Sequence, residues 1–231
     1  RITGCARHQL TGSAVELVDA QFHDAGFAVE LWHTIRGGKV FRDVFVNRRR
    51  DGELYYEEKT ITPFSDEHDH VTHFVATGKD ITQHMEAQKR LQYLAHHDPL
   101  TGLANRALLF DHLDNALAQA QRSDHMVALL YADLDRFKGV NDGFGHTTGD
   151  RLLKAVAERL RGCVREADTV ARLGGDEFVV LLPSVGHVDE PAHVAQNLLE
   201  SLHAPIITEA GQELFSNASI GITVYPIDAE D

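Results

Sequence analysis

The stretch Arg172-Leu173-Gly174-Gly175-Asp176-Glu177-Phe178-Val179-Val180-Leu181-Leu182 most constrains what this chain can fold into. An apolar run enters through Thr169, Val170 and Ala171, and another leaves through Phe178 to Leu182. Gly174-Gly175 between them tolerates positive φ at both central positions of a tight hairpin turn. A turn without side chains lets a phosphate approach the backbone, and the adjacent Asp176 and Glu177 are natural ligands for Mg²⁺. An ordinary surface hairpin with an acidic shoulder has the same local pattern, so this stretch alone leaves both readings open.

The net charge of −13 argues against non-specific binding to nucleic acid or to an anionic membrane. It also requires metal ions or a local basic patch for any polyphosphate ligand. Cys5 and Cys163 have no metal-type spacing, and a reduced, cytoplasmic setting is the simplest reading. No apolar run approaches the ~20 residues that span a bilayer. The sequence opens on Arg1 rather than Met, which leaves room for an upstream membrane anchor.

Three further stretches set the organisation. Residues 1–80 alternate turn signals with β-rich runs: a strand at 40–47, a turn at Asp51-Gly52, a strand at 54–63, a loop at 65–69 and a strand at 71–78. Upstream, 27–35 has helical spacing with Trp32 on its apolar side. From 81 to 95, Ile81, Met85, Gln88, Leu91, Leu94 and Ala95 form a stripe at three- and four-residue steps, expected of a short parallel helical connector between dimeric domains. From residue 96 strands and helices alternate: a helix from Asn105 to about Gln121, strands at 126–132 and 216–224, and helices at 149–164 and 188–203. One hairpin between two crossover helices predicts an α+β layer of ferredoxin-like or polymerase-palm type, with helices on one main face.

The acidic segment Asp133-Leu134-Asp135 ends the first of these strands, at a sheet rim where ligand chemistry is commonly placed. A solvated strand end reads the same locally. Taken together, 97–106 (His97-Asp98-Pro99-Leu100-Thr101-Gly102-Leu103, then Asn105-Arg106), 133–150 and 172–182 resemble the GGDEF family, the diguanylate cyclases. Residues 1–80 resemble a PAS sensory domain lacking its first strands, through Ile2-Thr3-Gly4, Glu30-Leu31-Trp32, Asn47 to Gly52 and the closing Asp80-Ile81-Thr82.

The resemblance implies a division into 1–80 (PAS), 81–95 (linker) and 96–231 (GGDEF). It also implies condensation of two GTP into cyclic di-GMP by a homodimer. Asp133, Asp176, Glu177 and the Leu134 carbonyl resemble the family's ligands for Mg²⁺ (or Mn²⁺), and Asp176 is also the position that assists deprotonation of the attacking hydroxyl. Asn141 and Asp150 resemble its guanine readers, and His146 falls where it contacts nucleotide. Phe137, Lys138, Gly174 and Gly175 would cradle the triphosphate. Arg165 and Asp168 match the RxxD site that binds product as inhibitor. The family continues past Ser219 to Pro226 into a helix carrying basic residues, which the sequence, ending at Asp231, does not include. A GGDEF module that binds GTP or cyclic di-GMP without turnover, upstream of a phosphodiesterase domain, is the competing function. The PAS ligand is not legible, and His8, His23, His33, His68, His70 and His73 have no ligand spacing.

Overall fold

The computed structural model describes residues 11–12, 21–123, 125–207 and 213–228; Ile2-Thr3-Gly4, Cys5 and His8 lie outside them. The chain divides into two units between Leu91 and Gln92.

In the first unit, Asp24 caps helix α1 (Ala25–Arg36) by accepting the Phe27 N–H at 2.7 Å. Leu31 and Ile35, one turn apart, bury the same face against Phe41, Phe45 and Ile61. Trp32, expected on the apolar side of this helix, falls off the buried face: it stays 36% exposed, edge-on to Phe74 and under the Arg36 guanidinium. Strands β1 (Phe41–Arg48), β2 (Leu54–Ser65) and β3 (Val71–Asp80) form an antiparallel sheet in that order. Gly52, at φ 93°, permits the first turn. His23 is absorbed structurally, its Nε2 accepting the Val46 N–H at 3.0 Å. Asp80 ends the sheet, taking the Thr82 N–H and hydroxyl and pairing with Arg49. These donors, Thr82 first, hold its carboxyl down at about 2.

Helix α2 (Thr82–His96) follows and has no buried residue; Leu91 in its apolar stripe is 69% exposed. No helix among the described residues is long and apolar enough to cross a membrane.

The second unit is a four-stranded antiparallel sheet, β5 (Thr169–Gly174), β6 (Glu177–Val185), β4 (Met126–Leu134), β9 (Ala218–Tyr225), in that spatial order. A two-stranded ribbon, β7 (Ile206–Ile207) with β8 (Glu213–Leu214), precedes β9. Helix α5 (His146–Gly162) links β4 to β5, and α6 (Glu190–Leu202) links β6 to the ribbon. The β-α-β-β-α-β succession is the ferredoxin-like, palm-type arrangement. Leu152, Leu153, Val156, Ala157 and Leu160 of α5 and Leu198 and Leu202 of α6 pack on one face, against Leu130, Phe178 and Val180.

Helices occupy both faces, not one. Helix α3 (Arg106–Ser123), capped by Asn105 through the Leu108 N–H, buries Leu109, Ala116 and Ala120 on the opposite face against Val127, Val179 and Leu181. Alternation along β4 and β6 requires this, because both sets of side chains are apolar and each needs a cover.

Candidate active site

The sheet's rim carries the carboxylates. β4 alternates inward Leu130, Ala132 and Leu134 with outward Tyr131 and Asp133, so Asp133 emerges on the α3 face as the strand ends. Directly across lie Glu177 on β6 and Ser219 on β9. The Leu134 N–H donates to the Asp176 carbonyl at 3.3 Å, tying the strand end to the hairpin turn. Asp135 is fixed beside them by its N–H to the Asn217 carbonyl (2.9 Å) and by the Ser219 hydroxyl (2.9 Å). Desolvation at the strand end, then repulsion from Asp176, Glu177 and Asp135, pushes the exposed Asp133 carboxyl above the usual range. The neighbouring Glu177 carboxylate raises the Tyr131 phenol in turn.

This donor set is all hard oxygen, and its mutual repulsion is what a divalent cation relieves, so its chemistry fits Mg²⁺. Among the described residues, no three His, Cys, Asp or Glu side chains stand close enough to hold a metal unaided.

The turn is held by a clamp that sequence reasoning missed. Gly174 and Gly175 have φ of 147° and 54°, and the β5–β6 register shifts there. Arg172 donates Nε (3.0 Å) and Nη2 (2.7 Å) to the Gly175 carbonyl, while Nη1 bridges both Asp98 oxygens at 3.1 Å. Asp98 also takes the N–H and hydroxyl of Thr101. Burial alone would raise the Asp98 carboxyl; Thr101 and then Arg172 outweigh it and hold it below the usual range. The Asp98-x-x-Thr101 spacing signals a side-chain-stabilised turn, but nothing local pairs it with Arg172.

A second cluster sits where α4 (Phe137–Phe144) meets α5. Arg136, at φ 58°, turns the chain from β4 into α4, a left-handed conformation costly for a residue with a side chain. Phe137 anchors α4, being only 9% exposed, and Lys138 faces solvent. Asn141 Oδ1 is buried without a hydrogen-bond partner. The space it occupies exists because residue 149 is glycine: a Cβ there would collide with that oxygen. Asp150, next in the chain, is exposed, as is His146 at the first position of α5. Asn141 and Asp150 thus belong to adjoining helices, while the rim carboxylates form a separate group.

Arg165 and Asp168 are both engaged by neighbouring groups of the chain. Asp168 takes the Arg165 backbone N–H at 2.9 Å, and the Arg165 guanidinium pairs with Glu190 at 2.7 Å.

A palm-type α+β sheet with carboxylates at a Gly-Gly turn defines the class of domain, and comparison with known proteins narrows it. The family model for "Diguanylate cyclase, GGDEF domain" matches residues 95–231, and a PAS domain model matches 1–83. The chain belongs to the GGDEF family and carries an N-terminal PAS domain. It is 44% identical over 140 residues to the diguanylate cyclase TpbB of Pseudomonas aeruginosa, covering 61% of this chain and 32% of that protein. It is 48% identical over 144 residues to MucR of the same organism, a bifunctional diguanylate cyclase and cyclic di-GMP phosphodiesterase, covering 62% and 21%. The chain therefore spans a third or less of these relatives' length. The crystal structure of the TpbB GGDEF domain superposes with a TM-score of 0.55 at 43% identity, covering 56% of this chain and 80% of that one. The coiled coil and GGDEF domain of DgcB from Caulobacter crescentus, solved in complex with c-di-GMP, gives 0.56 at 27% identity, covering 62% and 76%.

Proposed function

We propose that this chain is the catalytic and sensory part of a diguanylate cyclase, which joins two GTP into cyclic di-GMP with release of two pyrophosphates. The observation that carries the reading is the register that sets Asp133 opposite Glu177, with Leu134 tied to Asp176 of the side-chain-free turn; desolvation and then repulsion from these carboxylates raise Asp133. Asn141 supports the substrate. Its buried oxygen lacks a donor, and a guanine amino or imino group is a donor. Asp150 would accept from the same base edge. Lys138, with the backbone at Phe137 and at Gly174-Gly175, would face the triphosphate, and His146 would approach the nucleotide.

Asp133, Asp176, Glu177 and the Leu134 carbonyl would hold Mg²⁺ or Mn²⁺, which when bound offsets triphosphate charge and lowers the pKa of a 3′-hydroxyl. The 3′-oxygen of one GTP attacks the α-phosphorus of the other, the bond to the β-phosphate breaks, and pyrophosphate leaves; Asp176 would take the proton. The step then repeats in the opposite sense. Each domain holds one GTP, so two chains must face each other, and the solvent-exposed stripe of α2 suits a helix pair that brings them together. The PAS unit would set that geometry, Arg165 and Asp168 would bind product, and GTP supply places the reaction in the cytoplasm.

A second reading has its own support: NbdA, named a cyclic di-GMP phosphodiesterase, shares 40% identity over 149 residues. In that reading the site binds GTP or product and regulates a following domain. Comparing wild type with Asp176→Asn decides between them. The cyclase reading expects cyclic di-GMP from wild type and none from the variant, with the variant's circular dichroism unchanged. Equal formation by both would remove Asp176 from the reaction.

A further inference from the structure

Arg165, Asp168 and Glu190 line a cavity of about 180 Å³ between the end of α5 and the start of α6, with Cys163 and Asn197 on its wall. Arg165 Nη2 lies 2.7 Å from Glu190 Oε1, and the other Glu190 oxygen accepts the Gly186 N–H at 3.1 Å. The two partners are held unequally: the Glu190 side chain is 25% exposed and the Arg165 side chain 71%. The carboxylate is therefore the fixed member and the guanidinium the one free to swing. One guanidinium stands among two carboxylates, an environment that disfavours an anion until one carboxylate is moved or neutralised.

We propose that Glu190 is an internal competitor at the product site. Its carboxylate occupies the Arg165 fork that a guanine edge or a phosphate of cyclic di-GMP would take, and so sets the product concentration at which inhibition begins. The inference rests on the reading of Arg165 and Asp168 as a product site. An arginine fork offers one well-aligned face to a planar acceptor or an anion, so the two partners exclude each other. Product binding would draw the Arg165 guanidinium away and leave Glu190 on the Gly186 N–H.

The test is calorimetric titration of cyclic di-GMP into wild type, Glu190→Gln, Arg165→Ala and Asp189→Asn. Glu190→Gln keeps an oxygen for the Gly186 N–H while removing the charge, and its melting temperature checks that the fold survives. We expect it to bind about three- to tenfold more tightly than wild type, in line with loss of a competing exposed ion pair. Asp189→Asn removes a neighbouring charge that is not paired with Arg165 and should leave affinity unchanged; an equal gain there would assign the effect to general charge and overturn the proposal. Binding that Arg165→Ala abolishes but Glu190→Gln leaves equal or weaker overturns the competitor role alone. Absence of any Arg165-dependent binding in wild type and Glu190→Gln overturns it together with the product-site reading.

Discussion

Asp133 carries a stability cost at the rim of the sheet. Its carboxyl is raised in the folded chain, so folding disfavours the ionised form. The stability that neutral Asp133 contributes is complete below the unfolded pKa and lost as pH rises through the folded value. Without metal, Asp133→Asn should melt at or above wild type at neutral pH, with the gap closing below about pH 4, near the unfolded carboxyl. Mg²⁺ should raise the wild-type melting temperature and leave the variant's unchanged. A variant that melts lower yet still responds to Mg²⁺ would place the ion elsewhere. For the base, Asp150→Ala should weaken GTP by ~1–3 kcal/mol and leave ATP as it was. Gly149→Ala, which drives a Cβ onto Asn141, should weaken GTP in the same way. Equal losses for both nucleotides in calorimetry would make these positions structural. The residue types and their order were legible in the sequence; the orphaned Asn141 oxygen was not, because it depends on how α4 and α5 pack.

At the scale of elements, the hairpin at 169–185 was legible because apolar runs flank a glycine pair, and α5 because Leu152, Leu153, Val156, Ala157 and Leu160 recur with helical period. What periodicity leaves out is which side of a sheet a helix covers. It identified α3 but not the face that helix closes, and it could not separate Trp32 from the α1 face carrying Leu31 and Ile35. The Arg172–Asp98 clamp was also beyond reach, spanning 74 residues of chain. The clamp predicts its own pH dependence. Asp98 is depressed in the folded chain, so its contribution is present above the unfolded pKa and lost as pH falls through the lower folded value. Asp98→Asn should cost about 1–3 kcal/mol in denaturant unfolding at neutral pH, and progressively less at about pH 3 and below. A cost independent of pH would mean that packing rather than charge holds the turn.

At the scale of the whole molecule, the proposed reaction needs two copies of the GGDEF domain, and α2 has no buried residue, with Leu91 of its apolar stripe exposed. Leu91→Asp should shift the chain from dimer to monomer in analytical ultracentrifugation and lower turnover in proportion. A monomer as active as the dimer would detach the connector from catalysis. The most direct test of the account is incubation of the complete protein with GTP and Mg²⁺, followed by chromatography of the nucleotides. The account predicts one cyclic di-GMP for every two GTP consumed, with two pyrophosphates released. GTP that binds but remains intact, with no cyclic di-GMP formed, would contradict it.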